Sequence, residues 1–298
     1  MNTLIVVSFL LAGAYLVAVL EAWLASGRFR LAAPAWAAMA LLGRESIVPR
    51  TPDRLFFETA PVLLLVAALL AAAVLPLSPQ LVITDLATGA LFVNAALAYV
   101  LVALLMAGWG VDGAYALVGG WRFLGQVIAY SMLIVMPITA VAMRAESLLT
   151  TDIVDSQGAV WNIVYQPLGF VLFFIAALAV SFLPPFDLPT AGGELAGGVE
   201  AEYTGARLAV FRLARMVLVV SLAAATTVFY LGGWLGPALP PWVWSAIKIL
   251  AVSAAMLLTG HYLPRIREAH LLAWSWKLGI PLALLNLFIV GVLVLIWP

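Results

Sequence analysis

Long runs of apolar residues place this chain in a lipid bilayer. Segments of about 20 apolar residues or more recur along the sequence, which is long enough to cross roughly 30 Å of hydrocarbon as an α-helix. Of the 298 residues, 65% are hydrophobic and only 9% are charged. In lipid, every backbone N–H and C=O must be bonded within the protein, so such segments fold as helices. The sequence therefore predicts an all-α membrane protein with a single polytopic domain, residues 1–298.

Eight transmembrane helices can be drawn on the sequence. They cover approximately residues 3–25, 57–76, 86–107, 114–142, 161–183, 207–231, 242–260 and 276–297. Twelve of the 14 lysines and arginines lie on the side of the connections after spans one, three, five and seven, whereas only Arg144 and Lys248 lie on the other side. Cytoplasmic loops are enriched in Lys and Arg. This bias predicts that both termini lie on the outer, periplasmic or extracellular, side.

Composition excludes several kinds of site. The chain has no cysteine, so it can form no disulfide, no thiolate metal site and no cysteine-ligated iron–sulfur cluster. Only two histidines are present, at positions 261 and 270, which argues against a haem or a histidine-rich metal centre. A net charge of zero argues against nucleic-acid binding. We therefore predict no metal site and no cofactor bound by this chain, so that any redox cofactor belongs to partner chains.

Charged residues concentrate between Ser181 and Arg215, although the surrounding sequence is apolar. They are Asp187, Glu194, Glu200, Glu202, Arg207, Arg212 and Arg215. Because a charge in hydrocarbon costs several kcal/mol, this segment is either solvated or lines a polar cavity. Residues 182–206, here called the acidic loop, are predicted to form a helical cytoplasmic connection between spans five and six.

Asp187 is predicted to cap a helix within the acidic loop, because Pro184-Pro185 ends the preceding span. On that helix Asp187 and Glu194, seven residues apart, share one face. The glycine pairs at 192–193 and 197–198 weaken an isolated helix and therefore predict close packing against neighbouring elements. The residues alone leave three interpretations of the loop open. It is an ordinary solvated connection, the entry to a proton path, or a docking surface for a redox partner.

The connection between spans one and two, residues 26–56, is also predicted to be cytoplasmic. It is here called the first loop. It begins with basic residues and continues with an apolar stretch from Ala32 to Leu42. That stretch is too short to cross a membrane. We therefore expect it to lie along the membrane interface or against a partner.

The acidic loop also resembles a known protein family. Residues 185–211 read PFDLPTAGGELAGGVEAEYTGARLAVF and are similar to the signature loop of the complex I (NADH-quinone oxidoreductase) subunit 1/H family, which includes mitochondrial NADH dehydrogenase subunit 1. Residues 44–57, 115–122, 167–179 and 276–286 also resemble stretches of that family, in the same order. The resemblance extends over nearly the whole chain and agrees with eight spans.

This resemblance implies the function of a membrane anchor and coupling subunit in a complex I-like, ion-translocating oxidoreductase. Such a subunit links a cytoplasmic electron-transfer arm, whose redox subunits carry iron–sulfur clusters, to antiporter-like and small membrane subunits. It has no catalytic activity alone, and it helps to form a quinone cavity at the interface with a partner subunit. The expected location is a prokaryotic plasma or inner membrane.

Carried over by position, the resemblance implies two groups of residues and no catalytic or metal-binding residue. The proton-path or coupling group is Glu21, Asp187, Glu194, Glu200, Glu202 and Arg207. The quinone-cavity or interface group is Asp53, Arg54, Arg122 and Gln126.

The chain also departs from the family pattern. The family's ETNR is here Val180-Ser-Phe-Leu183, a glutamate of span four is Ser131, and the RxGPNRxGP stretch before Glu45 is missing. These departures predict that the proton path and the quinone site are modified. The alternative is a non-conducting scaffold in a group 4 hydrogenase-like or other respiratory complex. A stand-alone transporter is disfavoured because no internal repeat is present, and the electron donor (NADH, ferredoxin, formate or hydrogen) stays open.

Overall fold

The computed structural model describes residues 2–237 and 239–296, and this part of the chain is helical apart from its connections. The helices are α1 (Asn2–Ser26), α2 (Ala33–Leu42), α3 (Arg54–Ala73), α4 (Gly89–Trp109), α5 (Ala114–Ala145), α6 (Thr150–Asp155), α7 (Asn162–Tyr165), α8 (Pro167–Val180), α9 (Gly192–Leu195), α10 (Gly205–Tyr230), α11 (Pro241–Tyr262), α12 (Glu268–Trp274) and α13 (Ile280–Ile296). A π-helical turn, Ser275–Gly279, joins α12 to α13. The prediction of an all-α membrane protein is confirmed.

Seven helical segments within the described residues are long and apolar enough to span a membrane. They are Thr3–Ser26, Arg54–Ala73, Gly89–Trp109, Ala114–Ala145, Gly205–Tyr230, Pro241–Tyr262 and Glu268–Ile296. The exception is the predicted fifth span, where α8 has only 14 residues, or about 21 Å of helix. A continuous helix over residues 161–183 was therefore a wrong prediction. Gln166 leaves the helical region because Pro167 follows it.

The chain from residue 161 to residue 183, although not one helix, nevertheless extends along most of α5. At one end Asn162 Oδ1 accepts a hydrogen bond of 2.5 Å from Arg144. At the other end the side-chain amide of Gln126 donates to the carbonyl oxygen of Ala179 over 2.6 Å. Arg144 and Gln126 are 18 positions apart on α5, or about 27 Å along its axis. The chain thus runs the length of the bundle here with a short helix and non-helical ends.

Small residues allow the central helices to approach closely. A Cβ atom at Gly108 of α4 would lie 2.6 Å from the carbonyl oxygen of Ala116 in α5. Ser221 of α10 donates to the carbonyl oxygen of Ala68 in α3 over 2.8 Å. Small residues and interhelical hydrogen bonds are typical of helix packing in membranes. Helix α10 forms the centre of the bundle, since every residue from Met216 to Tyr230 is buried.

The bundle has two distinct ends. The acidic loop lies at the end where α8 stops and α10 begins, here called the loop end. The start of α1 and the end of α13 point to the opposite end, since a Cβ atom at Gly13 would meet Val220 of α10 at 3.2 Å and one at Gly291 would meet Met143 of α5 at 3.2 Å. That this end faces outward stays a prediction from the charge bias.

A buried lysine closes the opposite end. Lys248 of α11 is 7% exposed, and its Nζ donates to the carbonyl oxygens of Leu231, Gly233 and Leu235 over 2.6, 3.0 and 2.7 Å. Its ammonium group also lies 4.3 Å from the ring centroid of Trp161. The last carbonyls of a helix have no partner within the helix. Lys248 therefore stabilises the end of α10 and the turn after it.

Candidate functional site

A cavity of about 780 Å³ opens between α1, α2 and α10 near the loop end. Much of its wall is alanine, and we call it the alanine cavity. These alanines are Ala14, Ala18, Ala22, Ala25, Ala33, Ala37, Ala38 and Ala209. Four charged residues also line it, namely Glu21, Glu200, Arg212 and Arg215. The site therefore combines a wide apolar wall with a small set of ionisable groups, which is the usual composition of a ligand pocket.

The alanine spacing explains why space remains between these helices. Alanines at positions 14, 18, 22 and 25 recur every three or four residues, which places them on one face of α1. Helix α2 begins with Pro34 in its first turn and presents its own alanines to the same space. The hydroxyl of Tyr15 donates to the carbonyl oxygen of Leu31 over 2.5 Å. This bond holds the chain before α2 beside α1.

Two polar atoms at the alanine cavity have no partner among the described residues. Glu200 Oε1 and Arg215 Nε are buried and make no hydrogen bond. The Arg215 guanidinium lies 5.3 Å from the ring centroid of Phe182, but none of the four charged lining residues forms an ion pair within the described part of the chain. Buried polar groups are normally bonded. Both residues line the cavity, so it presents a guanidinium and a carboxylate group to a polar ligand, although these two atoms themselves are closed to solvent.

The acidic loop beside the cavity is not one continuous helix. It forms three short turns, Leu188–Thr190, Gly192–Leu195 and Gly198–Glu200. The predicted helix was wrong because Ala196 (φ 50°) and Gly197 (φ 103°) adopt left-handed conformations that interrupt it. The predicted cap was also wrong, since the Asp187 side chain makes no capping hydrogen bond.

Glycine allows a close approach at one place in this loop. A Cβ atom at Gly198 would lie only 2.0 Å from the carbonyl oxygen of Pro189, and one at Gly119 of α5 would lie 2.6 Å from the same oxygen. Close packing is thus confirmed at Gly198. It was a wrong prediction at Gly192 and Gly193, because a Cβ atom would have open space at the first and only an ordinary contact at the second.

Two ion pairs attach the acidic loop to its neighbours. Arg122 of α5 contacts Glu194 at 2.7 Å, and Arg265, between α11 and α12, contacts Asp187 at 2.9 Å. The buried amide of Gln126 donates to the carbonyl oxygen of Phe186 over 3.0 Å. The Glu194 side chain remains 64% exposed. These residues therefore hold the loop in place and leave its outer face accessible.

Arg207 connects three elements at the start of α10. Its Nε and Nη2 atoms donate to the two carboxylate oxygens of Glu58 over 2.9 and 2.5 Å. Its Nη1 atom donates to Ser46 Oγ over 2.6 Å. In addition, the N–H of Ile47 donates to Thr204 Oγ1 over 2.8 Å. A bidentate arginine–carboxylate pair has a defined geometry, so Arg207 fixes the first loop against α3 and the start of α10, and Thr204 attaches it to the acidic loop.

The comparison with known families agrees with this arrangement. A family model described as NADH dehydrogenase matches residues 4–291. The chain belongs to the complex I subunit 1/H family. It is thus a multi-pass membrane subunit of an NADH:quinone oxidoreductase-like complex, part of an enzyme that works with other subunits of that complex.

In this complex I subunit 1/H protein, the predicted coupling group is divided between two places. Glu21 and Glu200 line the alanine cavity. Asp187, Glu194 and Arg207 form the ion pairs described above, at the loop end. Glu202 is exposed. The next residue, Tyr203, is buried and donates to the carbonyl oxygen of Phe57 over 3.2 Å, and burial raises the pKa of its phenol, which keeps it protonated.

The predicted quinone-cavity group of this subunit 1/H protein lies outside the wall of the alanine cavity. Asp53 accepts from the N–H of Leu55 over 3.2 Å and caps α3, and Arg54 is exposed beside it. Arg122 and Gln126 bind the acidic loop instead.

Some residues of the candidate site were not singled out from the sequence. Arg212 and Arg215 were predicted only to face the cytoplasm, and they also line the alanine cavity. Glu58 was not singled out, although a carboxylate one turn into an apolar span is itself a signal for a partner. No local signal pointed to Arg265 as the partner of Asp187.

Proposed function

We propose that the alanine cavity binds a quinone, with its isoprenoid tail along the alanine wall and its headgroup near Glu200 and Arg215. The observation that carries this proposal is a cavity of about 780 Å³ with one apolar wall and four charged residues. Pockets of roughly 300–1,000 Å³ bind ligands of this size, with a few polar groups that orient them. The opening beside α1 and α2 gives a membrane-dissolved quinone direct access.

The charged residues suit the reduction of a quinone carbonyl. As electrons arrive from an iron–sulfur cluster in a cytoplasmic partner subunit, negative charge develops on the quinone oxygens. The guanidinium groups of Arg212 and Arg215, which line the cavity, can stabilise that charge. The oxygens then take up protons to form the quinol. Glu21 and Glu200 are the carboxyl groups placed to supply those protons.

A bulky residue in the cavity wall should block quinone binding. We expect Ala37→Phe to lower kcat/KM for quinone at least about tenfold, a cost of roughly 1.4 kcal/mol, because the ring would occupy space between α1 and α2. The measurement is quinone reduction by the purified assembly with its own electron donor. Ala40→Phe is the matched control, since Ala40 lies on the same helix, is exposed and does not line the cavity. Equal activity in the two variants would show that quinone does not bind in this cavity.

We also propose that the loop end docks the cytoplasmic electron-transfer arm and that the bundle contacts antiporter-like membrane subunits. Exposed apolar side chains on the first loop support this, including Trp36 at 68% and Ile47 at 65% exposure. The bond from the N–H of Ile47 to Thr204 Oγ1 attaches that loop to the acidic loop, so that the two form one surface. The loop end then faces the cytoplasm of a prokaryotic cell, with both termini outside.

Proton coupling is the part of this proposal that separates it from a non-conducting scaffold. The scaffold is favoured by one observation, that Asp187 and Glu194 are held in ion pairs. The coupling role therefore rests on Glu21 and Glu200, which line the alanine cavity and form no ion pair among the described residues.

We expect Glu200→Gln to lower quinone reduction about tenfold or more and to lower electron-transfer-driven proton movement with it. Reconstituted vesicles with a pH-sensitive dye measure both. Asp155→Asn is the control, because Asp155 is exposed, does not line the cavity and does not belong to the coupling group. If Glu200→Gln and Glu21→Gln both retain unmutated turnover and proton movement, the scaffold is the correct interpretation.

A further inference from the structure

A second opening also lies beside the acidic loop. It is a groove of about 460 Å³ between α8, α11 and α12, and it shares no lining residue with the alanine cavity. We call it the α8–α11 groove. Its walls include Phe174 and Leu178 of α8, Leu263 and Ile266 after α11, and His270 and Trp274 of α12. The groove is therefore largely apolar, with aromatic residues at the level of the loop end.

The acidic loop closes one end of this groove. A Cβ atom at Gly260 of α11 would lie 2.6 Å from the carbonyl oxygen of Pro184, so the helix contacts the loop there. The N–H of Ile266 donates to the carbonyl oxygen of Pro185 over 3.1 Å. Pro185 and Phe186 also line the groove. An occupant would thus touch the acidic loop directly.

The charge at the groove that is left unpaired is positive, since Asp187 beside it is paired with Arg265. His270 is its only ionisable lining residue in the described part of the chain. Arg265 and Arg267 flank the lining residue Ile266, and Arg267 is exposed and without an ion pair among the described residues. The nearby Glu268 faces α5 instead, since a Cβ atom at Gly125 would lie 2.7 Å from its Oε1. The rim therefore suits an anion.

We propose that the α8–α11 groove holds an acyl chain of an anionic phospholipid whose phosphate contacts Arg267 and His270. An acyl chain matches the apolar walls, and basic residues at the level of the headgroups attract anionic lipid. Trp274 lies where amphipathic rings favour the membrane interface. Because the lipid would lie against Pro185 and Phe186, it would support the acidic loop next to the Asp187–Arg265 ion pair. The proposal does not depend on quinone binding.

Photolabelling of the purified assembly tests this. The probes are phosphatidylglycerol and phosphatidylcholine, each with a diazirine in the acyl chain, in vesicles of unlabelled phosphatidylcholine. Phosphatidylglycerol is expected to label peptides containing residues 174–178 or 271–274 about fivefold more than phosphatidylcholine. In the double variant Arg267→Gln, His270→Gln this preference should disappear. Arg30→Gln, which removes an exposed charge outside the groove, should keep it.

Two results would overturn the proposal. Equal labelling by both probes would show hydrocarbon contact without recognition of charge. Absence of label from these peptides would mean that a partner helix covers the groove. Size-exclusion chromatography confirms that each variant assembles. Quinone reduction, measured on the same samples, separates this result from the proposal for the alanine cavity, whose lining residues are unchanged.

Discussion

Gly198→Ala is expected to lower quinone reduction by the assembled complex at least about tenfold. The added Cβ atom would lie 2.0 Å from the carbonyl oxygen of Pro189, at a residue with φ of 53°. Both effects oppose the observed loop, because the left-handed region is unfavourable for alanine and the clash is with backbone. The turn must then move, and Glu200, two residues later, moves with it out of its place on the cavity wall.

The matched control is Gly192→Ala in the same loop. A Cβ atom there meets nothing within 4 Å, so we expect activity close to that of the unmutated assembly. The measurement is quinone reduction, normalised to assembled complex by size-exclusion chromatography. A Gly198→Ala complex with unchanged activity would contradict the close contact between this turn and Pro189.

Lys248→Met is expected to lower the thermal unfolding temperature of the assembly by roughly 5 °C or more. Methionine keeps much of the side-chain volume but leaves the carbonyl oxygens of Leu231, Gly233 and Leu235 without their donor. Each buried acceptor left without a bond costs about 1–3 kcal/mol. Removing a buried ammonium also recovers its desolvation cost, which offsets part of this loss.

Limited proteolysis gives a local measurement for the same variant. Cleavage within residues 231–237 should become faster, because the turn after α10 loses the bonds that hold it. Lys277→Met is the control, since Lys277 is exposed and makes no ion pair among the described residues. Equal melting temperatures and equal cleavage in the two variants would show that Lys248 does not stabilise this end.

Most of the bundle could be predicted because apolar length alone decides it. Helices α3, α4 and α10 follow from long segments of high apolar content, which in α3 and α10 begin after a few charged residues. The prediction of a continuous fifth span was wrong at Gln166, because the residue before Pro167, the first residue of α8, is not helical. The prediction of one helix in the acidic loop was wrong at Ala196, because helix propensity does not predict an alanine with a positive φ. Such a conformation depends on how the turns around it pack against α5, which is remote in sequence.

The candidate site was only partly predictable for a similar reason. Glu21 and Glu200 were identified through a family resemblance, but nothing in their neighbourhood shows that they face one cavity. The alanines of α1 indicate a smooth helix face and do not reveal which helix lies opposite. Arg215 was assigned to the cytoplasm from its charge alone. Its place beside Phe182 depends on how α10 is rotated in the bundle.

The carbonyl oxygen of Pro189 has a mechanical consequence. Gly198 and Gly119 both lie against it, and the backbone nitrogen of Val199 would be 3.0 Å from a Cβ atom at Gly119. Glu200 follows Val199 directly, so the chain that carries this carboxylate has no slack against α5. Helix α5 has 32 residues, or about 48 Å, and reaches Arg144 at the opposite end. The turn that carries Glu200 is therefore packed directly on a helix that continues to the opposite end of the bundle.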